Sequence, residues 1–331
     1  MISLYQTIDR ALFIKLSDMR SNFFFTSFLL LLFCLCSCRN RSTNTTTQDK
    51  TPATLEVKAV FINGDSLHYI DIGKGDPVIF IHGGLGDYRA FGAQRDTFSK
   101  NHRVIVYSRR YAFPDIQPIK DSLNYTIEPH VKDLAQFIKI LNLGSVHLVG
   151  HSYGACVALQ TAIDHPELVR SLTLGEPPCP SLLQNIPAAD TLWKNFVTKI
   201  KNPSAEAFKK GNNEKAVEIF INGVMEDSSL FSRIPPEARE AMVVNSPELR
   251  AIALTKDPYI YVTCDQLQKI KVPVLLVGGD RSPAFLTTIT NVLNRCLDGN
   301  ELAILPNTSH GLQNENPSEF NKIVLRFIDK D

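Results

Sequence analysis

The hexapeptide GHSYGA at Gly150–Ala155 sets a serine two residues from a glycine on either side. It lies directly behind the apolar run Val146–Val149 and ahead of Cys156–Gln160. A serine hydroxyl is a poor nucleophile unless it is held rigidly beside a base. A sharp strand-to-helix turn supplies that rigidity by lifting Ser152 out of a sheet, and the two glycines leave room for close backbone approach. The same turn aims the Tyr153 N–H from a helix start, where backbone donors and the helix dipole favour developing negative charge. The chemistry expected here is nucleophilic attack by serine.

Two further pieces sit where such a serine would need them. Upstream, Val78–Ile81 is a short buried-strand pattern that runs into His82-Gly83-Gly84-Leu85-Gly86. A glycine-rich loop at the carboxyl end of a strand brings a backbone N–H close to a substrate oxygen. Downstream, Leu302–Pro306 reads as a strand followed by Asn307-Thr308-Ser309-His310-Gly311, ahead of a final helix over Pro317–Ile328. A histidine just past the last strand can lean back over the sheet towards the serine.

Taken with the chain order of serine first and histidine last, these motifs resemble those of the α/β-hydrolase superfamily over roughly Leu55 to the C-terminus. The resemblance implies Ser152 as nucleophile and His310 as general base, with an oxyanion hole made from the Tyr153 N–H and an N–H in the Gly83–Gly84 region. It also implies a mainly parallel, doubly covered α/β sheet. The other histidines compete less well for the base role. His151 sits in the elbow pointing away from Ser152, His82 braces the oxyanion loop, His147 lies inside a strand, and His165 precedes Pro166 near the surface.

The triad acid has two candidates. The common family pattern puts it as G-x-x-D on the loop after the strand preceding the histidine. Here that loop reads Val277-Gly278-Gly279-Asp280-Arg281-Ser282-Pro283, so the usual position is Arg281 and Asp280 falls one residue early. Some relatives carry the acid after the preceding strand instead. In this chain Ser171–Gly175 ends in Glu176-Pro177-Pro178. Glu176 is the first choice and Asp280 the alternative; either could hold the imidazole tautomer and stabilise the imidazolium.

The N-terminal residues have a different logic. Asn22–Cys38, NFFFTSFLLLLFCLCSC, has basic residues ahead of it, a short apolar core and small residues at its end. That describes an export signal rather than a full membrane span. Its close, Leu35-Cys36-Ser37-Cys38, resembles a bacterial lipobox, with Cys38 as the acylated residue and mature N-terminus. Met19 opens a signal of normal length, so 1–38 reads as a lipoprotein signal peptide in which 1–18 is an upstream extension. Residues 39–54 read as a flexible polar tether. The expected protein is exported and membrane-anchored through lipid, facing the periplasm or cell exterior.

Of seven cysteines, Cys156, Cys179, Cys264 and Cys296 stay in the folded part. A disulfide among them is open, and no C-x-x-C spacing supports a zinc site. No metal or cofactor is expected. The formal charge of +1, with no basic cluster in the folded part, argues against nucleic acid as partner and for a small-molecule substrate. Oligomeric state is unreadable.

Short β-type runs near Leu55–Ile62, Leu67–Ile72, Val78–His82, Val104–Tyr107, Val146–Gly150, Leu168–Leu174, Val272–Val277 and Leu302–Leu305 alternate with helical ones. The alternation stops over 179–268, where apolar residues recur at three- and four-residue spacing, as in Leu192-Trp193…Phe196-Val197…Ile200. Residues 55–178 and 269–331 are therefore expected to form the core and 179–268 a helical cap between the sixth and seventh strands. The loop Ser108-Arg109-Arg110-Tyr111 replaces the family's Asp-x-Arg-Gly. Arg109 and Tyr111 are candidate substrate contacts there, against the alternative that the arginine braces loops.

Two function classes remain. One is a serine hydrolase acting on a carboxylic ester, thioester or lactone through an acyl-enzyme, with a carbon–carbon bond hydrolase as its nearest variant. The other is a non-catalytic hydrolase-fold lipoprotein that binds or senses a ligand. A haloalkane dehalogenase is disfavoured, because its nucleophile is an aspartate where Ser152 stands.

Overall fold

The computed structural model describes residues 55–331 except 118, 120–124, 185 and 331. The expected signal peptide, Cys38 and the tether lie outside the described residues. Among the described residues no helix is long and apolar enough to cross a membrane.

Among the described residues eight strands form one sheet: β1 Lys58–Ile62, β2 Asp65–Gly73, β3 Pro77–Ile81, β4 Arg103–Tyr107, β5 Val146–His151, β6 Val169–Gly175, β7 Val274–Gly279 and β8 Glu301–Leu305. Their order is β1-β2-β4-β3-β5-β6-β7-β8. The first two strands pair antiparallel, and every pairing from β4 through β8 is parallel. The central strands are apolar on both faces, as buried parallel strands must be, whereas the edge strands β1 and β8 alternate half-buried and exposed residues up to a buried last one.

Helices cover both faces. Ile79, Ile81, Leu148 and Leu172 point to one side and pack against α2 (Glu128–Ile140), α3 (Tyr153–Asp164) and α11 (Ala284–Cys296). Val78, Phe80, Val149 and Leu275 point to the other and meet α1 (Gly92–Phe98) and α13 (Pro317–Ile328). This split follows from the two-residue period of a strand. Before β8, the chain passes through α11; after it, a single turn, α12 (Leu312–Glu315), precedes α13.

Between β6 and β7 the described residues form helices joined by loops, with no strand. It runs through α4 (Pro187–Phe196), a π-type turn at Val197–Lys201, α5 (Asn202–Lys209), α6 (Asn213–Val224), α7 (Leu230–Arg233), α8 (Pro236–Val244), α9 (Ser246–Leu254) and α10 (Cys264–Leu267). This segment has its own apolar cluster around Phe208, Val217, Phe231 and Leu249, and Leu85 of the loop after β3 joins that cluster. Cys264 at the start of α10 pairs with Cys296 at the end of α11, with Cα atoms 4.9 Å apart, which ties the return of the helical segment to the core. Cys156 and Cys179 are free and buried.

Candidate active site

Ser152 sits between β5 and α3 with φ +53° and ψ −124°, a backbone state that L-residues avoid and that persists only where the surroundings enforce it. The enforcement is visible. The Ser152 N–H donates to the Gly175 carbonyl at 2.8 Å, and the Ala155 N–H donates to the Ser152 carbonyl at 2.9 Å. Two residues on, a Cβ at Gly154 would lie 2.2 Å from the Ile81 carbonyl oxygen, so only glycine lets α3 approach the end of β3 this closely.

Ser152, Glu176, His310 and the glycine loop all follow the carboxyl ends of parallel strands. That is where an open α/β sheet gathers its functional groups. Of the two acid candidates, the structure brings Glu176 to the histidine. Its Oε2 accepts from His310 Nδ1 at 2.7 Å, and its Oε1 accepts from the Gly279 N–H at 3.0 Å. Glu176 is 1% exposed and also adopts a positive φ, +48°, as the chain turns out of β6. With Nδ1 committed to a carboxylate, Nε2 is the nitrogen available to take a proton.

Asp280 goes elsewhere. It is exposed, and its Oδ1 accepts from the Thr308 N–H at 3.0 Å, capping the loop that carries His310. Backbone donors from Asn307 and Thr308 hold its carboxyl below the usual carboxylate range. Its neighbour Arg281 bonds Asn307 across the same loop. The alternative acid is therefore corrected: the carboxylate one residue early serves loop geometry.

The loop His82–Asp87 lies against Ser152. A Cβ built at Gly83 would meet the Ser152 Cβ at 3.1 Å, while one built at Gly84 meets open space. His82 braces this loop, donating from Nδ1 to the Gly83 carbonyl at 2.8 Å and accepting at Nε2 from the Arg109 N–H at 3.0 Å. Burial, followed by the Arg109 charge, pushes His82 down to about 3, so it stays neutral with that fixed tautomer. The ring of Tyr153 is buried, and its hydroxyl donates to the Pro258 carbonyl at 3.1 Å.

Arg109 turns into the fold. Its side chain is 1% exposed and forms a two-pronged ion pair with Glu248 of α9, with Nη2 and Oε2 at 2.6 Å. Tyr111 is half-buried, its ring against Tyr125 and His130, with the Arg110 guanidinium over its face. Of the two expected substrate contacts, Arg109 is committed to internal partners, and Tyr111 packs its ring on internal neighbours while staying partly exposed. The Arg109 charge is neutralised by Glu248 within the fold.

Some working residues were not foreseen. His151 donates from Nε2 to the His310 carbonyl at 2.8 Å, with the two rings 4.8 Å apart. Burial, then the His310 charge, lowers it to about 3. It thus steadies the histidine loop as a neutral ring. Glu315 accepts from both the N–H and the hydroxyl of Ser309, at 2.5 and 2.6 Å, fixing the residue before His310. Glu248 also escaped notice. Its Ser-Pro-Glu context signals only a helix start with an acid in the first turn. Among the described residues no group of three His, Cys, Asp or Glu is arranged to hold a metal ion.

Comparisons with known proteins bear on the fold that carries this site. The family model for the alpha/beta hydrolase fold matches residues 76–210. The chain is 25% identical over 296 residues to 2-hydroxy-6-oxo-6-(2'-aminophenyl)hexa-2,4-dienoic acid hydrolase of Metapseudomonas resinovorans, covering 85% of this chain and 94% of that one. Among solved structures it is similar to the carboxylesterase CesB of Bacillus subtilis, with a TM-score of 0.66 at 20% identity, covering 85% of this chain and 93% of that one. It is also similar to the enol-lactonase of Burkholderia xenovorans LB400, with a TM-score of 0.67 at 18% identity, over 82% of this chain and all of that one.

Proposed function

The chain belongs to the α/β-hydrolase superfamily, and on that premise we propose that it is a serine hydrolase cleaving small ester-like substrates through an acyl-enzyme. The observation that carries this reading is the buried Glu176–His310 hydrogen bond, 2.7 Å long, behind a serine held at φ +53°. Ser152 Oγ attacks the carbonyl carbon as its proton passes to His310 Nε2. The Tyr153 N–H and an N–H of the Gly83–Gly84 segment bind the resulting oxyanion. Collapse expels the alcohol, which takes the proton from His310. Water then repeats the sequence on the acyl-enzyme and releases the acid.

A fluorophosphonate probe and a series of p-nitrophenyl esters test this together. The wild-type protein is expected to be labelled and to prefer short to medium acyl chains, and Ser152→Ala to lose both labelling and turnover. Wild-type protein that takes no label would overturn the enzyme reading in favour of a ligand-binding protein. Carbon–carbon bond hydrolysis is a second reading, supported by the likeness to the dienoic acid hydrolase of Metapseudomonas resinovorans. Turnover of a vinylogous diketone in preference to every ester would favour it.

We also propose that the protein is an exported lipoprotein anchored through Cys38. The lipobox-like sequence supports this, as does the Cys264–Cys296 disulfide, which suits an oxidising compartment. Labelled palmitate is expected to enter the wild-type chain and not Cys38→Ala; equal incorporation into both refutes the assignment.

A further inference from the structure

Arg109 spends all of its polar hydrogens inside the molecule. Nε donates to the His82 carbonyl and Nη2 to the Gly83 carbonyl, each at 3.1 Å, Nη1 and Nη2 pair with the Glu248 carboxylate, and Nη1 also lies 3.4 Å from His130 Nδ1. The guanidinium carbon also lies 5.3 Å from the centroid of the Tyr153 ring. One side chain therefore touches the residues on both sides of Ser152 from which oxyanion donors are drawn.

A peptide unit is planar and trans, so a carbonyl and the N–H of the next residue point in opposite directions. The Gly83 carbonyl is gripped by two donors, His82 Nδ1 at 2.8 Å and Arg109 Nη2 at 3.1 Å. Fixing that oxygen fixes the direction of the Gly84 N–H, on the far side of the same peptide from Arg109. A guanidinium buried this deeply is tolerated only with a charged partner. That partner, Glu248, comes from α9 of the cap and is further held by the Tyr125 hydroxyl at 2.7 Å.

The other end of the glycine loop is held from the same helix start. Asn245, one turn before Glu248, donates from Nδ2 to Asp87 Oδ2 at 2.8 Å and accepts from the Phe113 N–H at 2.8 Å. Leu85, between the two anchor points, packs into the apolar cluster of the cap. The loop is thus tied to the cap at Gly83, Leu85 and Asp87.

We propose that Arg109 and Glu248 form a positioning pair that sets the Gly83–Gly84 peptide of the oxyanion hole from the cap, so that correct seating of α9 is a condition for transition-state stabilisation. This rests on the serine-hydrolase reading above. Misdirecting one oxyanion donor removes part of what deleting it would, and deletion costs about 10²–10³ in kcat. Arg109→Lys keeps the charge but cannot bond Gly83 and both Glu248 oxygens at once. It is expected to lower kcat on p-nitrophenyl acetate by about 10- to 100-fold with KM within about threefold, because the ground state gains little from the hole. Affinity for a phenylboronic acid, whose adduct on serine is tetrahedral, is expected to fall in parallel.

Glu248→Gln, nearly isosteric, is expected to show the same split in weaker form, and the double variant to be no worse than Arg109→Lys alone, as for residues acting as one unit. Asp133→Asn breaks the adjacent Arg110 ion pair, whose contacts of 2.6 and 2.7 Å do not involve the glycine loop. It is expected to lower the melting temperature and leave kcat unchanged. A folded Arg109→Lys with wild-type kcat, or a kcat loss without weaker boronate binding, overturns the proposal. Should Arg109→Lys fail to fold, Glu248→Gln decides alone by the same criteria. Ser152→Ala run alongside separates the two claims: if it retains turnover, the hydrolase reading itself fails, and if it is inactive while Arg109→Lys is not impaired, only the positioning pair fails.

Discussion

Replacing Glu176 with glutamine probes the site at its most constrained point. Both carboxylate oxygens are used, Oε2 on His310 Nδ1 at 2.7 Å and Oε1 on the Gly279 N–H at 3.0 Å. Glutamine has the same shape but only one acceptor. If its oxygen stays on Gly279, its NH2 faces Nδ1, the ring proton moves to Nε2, and the base is lost. If its oxygen turns to His310, a buried NH2 opposes the Gly279 N–H. Leaving such a donor unsatisfied costs about 1–3 kcal/mol, a penalty of about 5- to 150-fold against the productive arrangement.

The carboxylate also bonds the imidazolium that forms in the transition state, and hydrogen bonds to charged groups are worth about 1.5–3 kcal/mol. The two effects together come to about 2.5–6 kcal/mol, or a fall in kcat of about 10²–10⁴. Comparable losses attend the equivalent change in other serine triads. Steady-state hydrolysis of p-nitrophenyl acetate measures this, with melting temperature as the control for folding. Asp280→Asn is expected to stay within about threefold of wild type, since Asn keeps an acceptor for Thr308 and the position is exposed. More than a tenth of wild-type turnover in Glu176→Gln, or a larger loss in Asp280→Asn, would refute the reasoning.

Gly83→Ala is expected to slow turnover by about tenfold, because its Cβ would press the Ser152 Cβ at 3.1 Å and shift it by tenths of an ångström; Gly92→Ala, whose Cβ meets open space in α1, leaves the rate unchanged. Burial drives His82 and His130 well below the ordinary histidine value, His82 to about 3. The unfolded chain then takes up protons first, so stability is intact above about pH 6.5 and falls below it, by up to about 1.4 kcal/mol per pH unit for each ring; a urea midpoint unchanged between pH 7 and 5 contradicts this. Reducing the Cys264–Cys296 bond, which spans 32 residues, is expected to cost about 3–4 kcal/mol by loop entropy, read as a lower urea midpoint in dithiothreitol.

Much of the architecture is legible in the chain because its signals are local. All eight strands lie where apolar runs predict them, and the helices between β6 and β7 follow their three- and four-residue periods. The elbow is legible as a motif, although only Gly150 is dictated by near neighbours, Gly154 and Ala155, whereas Gly154 is required by the approach to Ile81 and His82 at the end of β3. The acid was harder. Asp280 and Glu176 both follow strands, and only tertiary placement tells a buried carboxylate from a loop cap. Nothing in the residues Gly278–Arg281 encodes that the Asp280 side chain turns back to the Thr308 N–H.

Arg109 and Glu248 mark where sequence reasoning reaches its limit, and they do so for a physical reason. Charged residues are almost never fully buried unless paired, so each alone reads as surface: an arginine at the mouth of the site, a glutamate in the first turn of a cap helix. They meet across 139 positions of chain, and no local pattern carries that information. The pairing changes what Arg109 can do. Unpaired, it would attract anions; paired with Glu248, it becomes a rigid donor aimed at the Gly83 carbonyl. The cap thus has two connections to the chemistry. One is apolar packing, through Leu85 in the cluster of the cap; the other is a buried charge pair acting through a single peptide plane. The second ties the position of the cap to the direction of an N–H beside Ser152, so substitutions in α9 that disturb the pair are expected to alter catalysis.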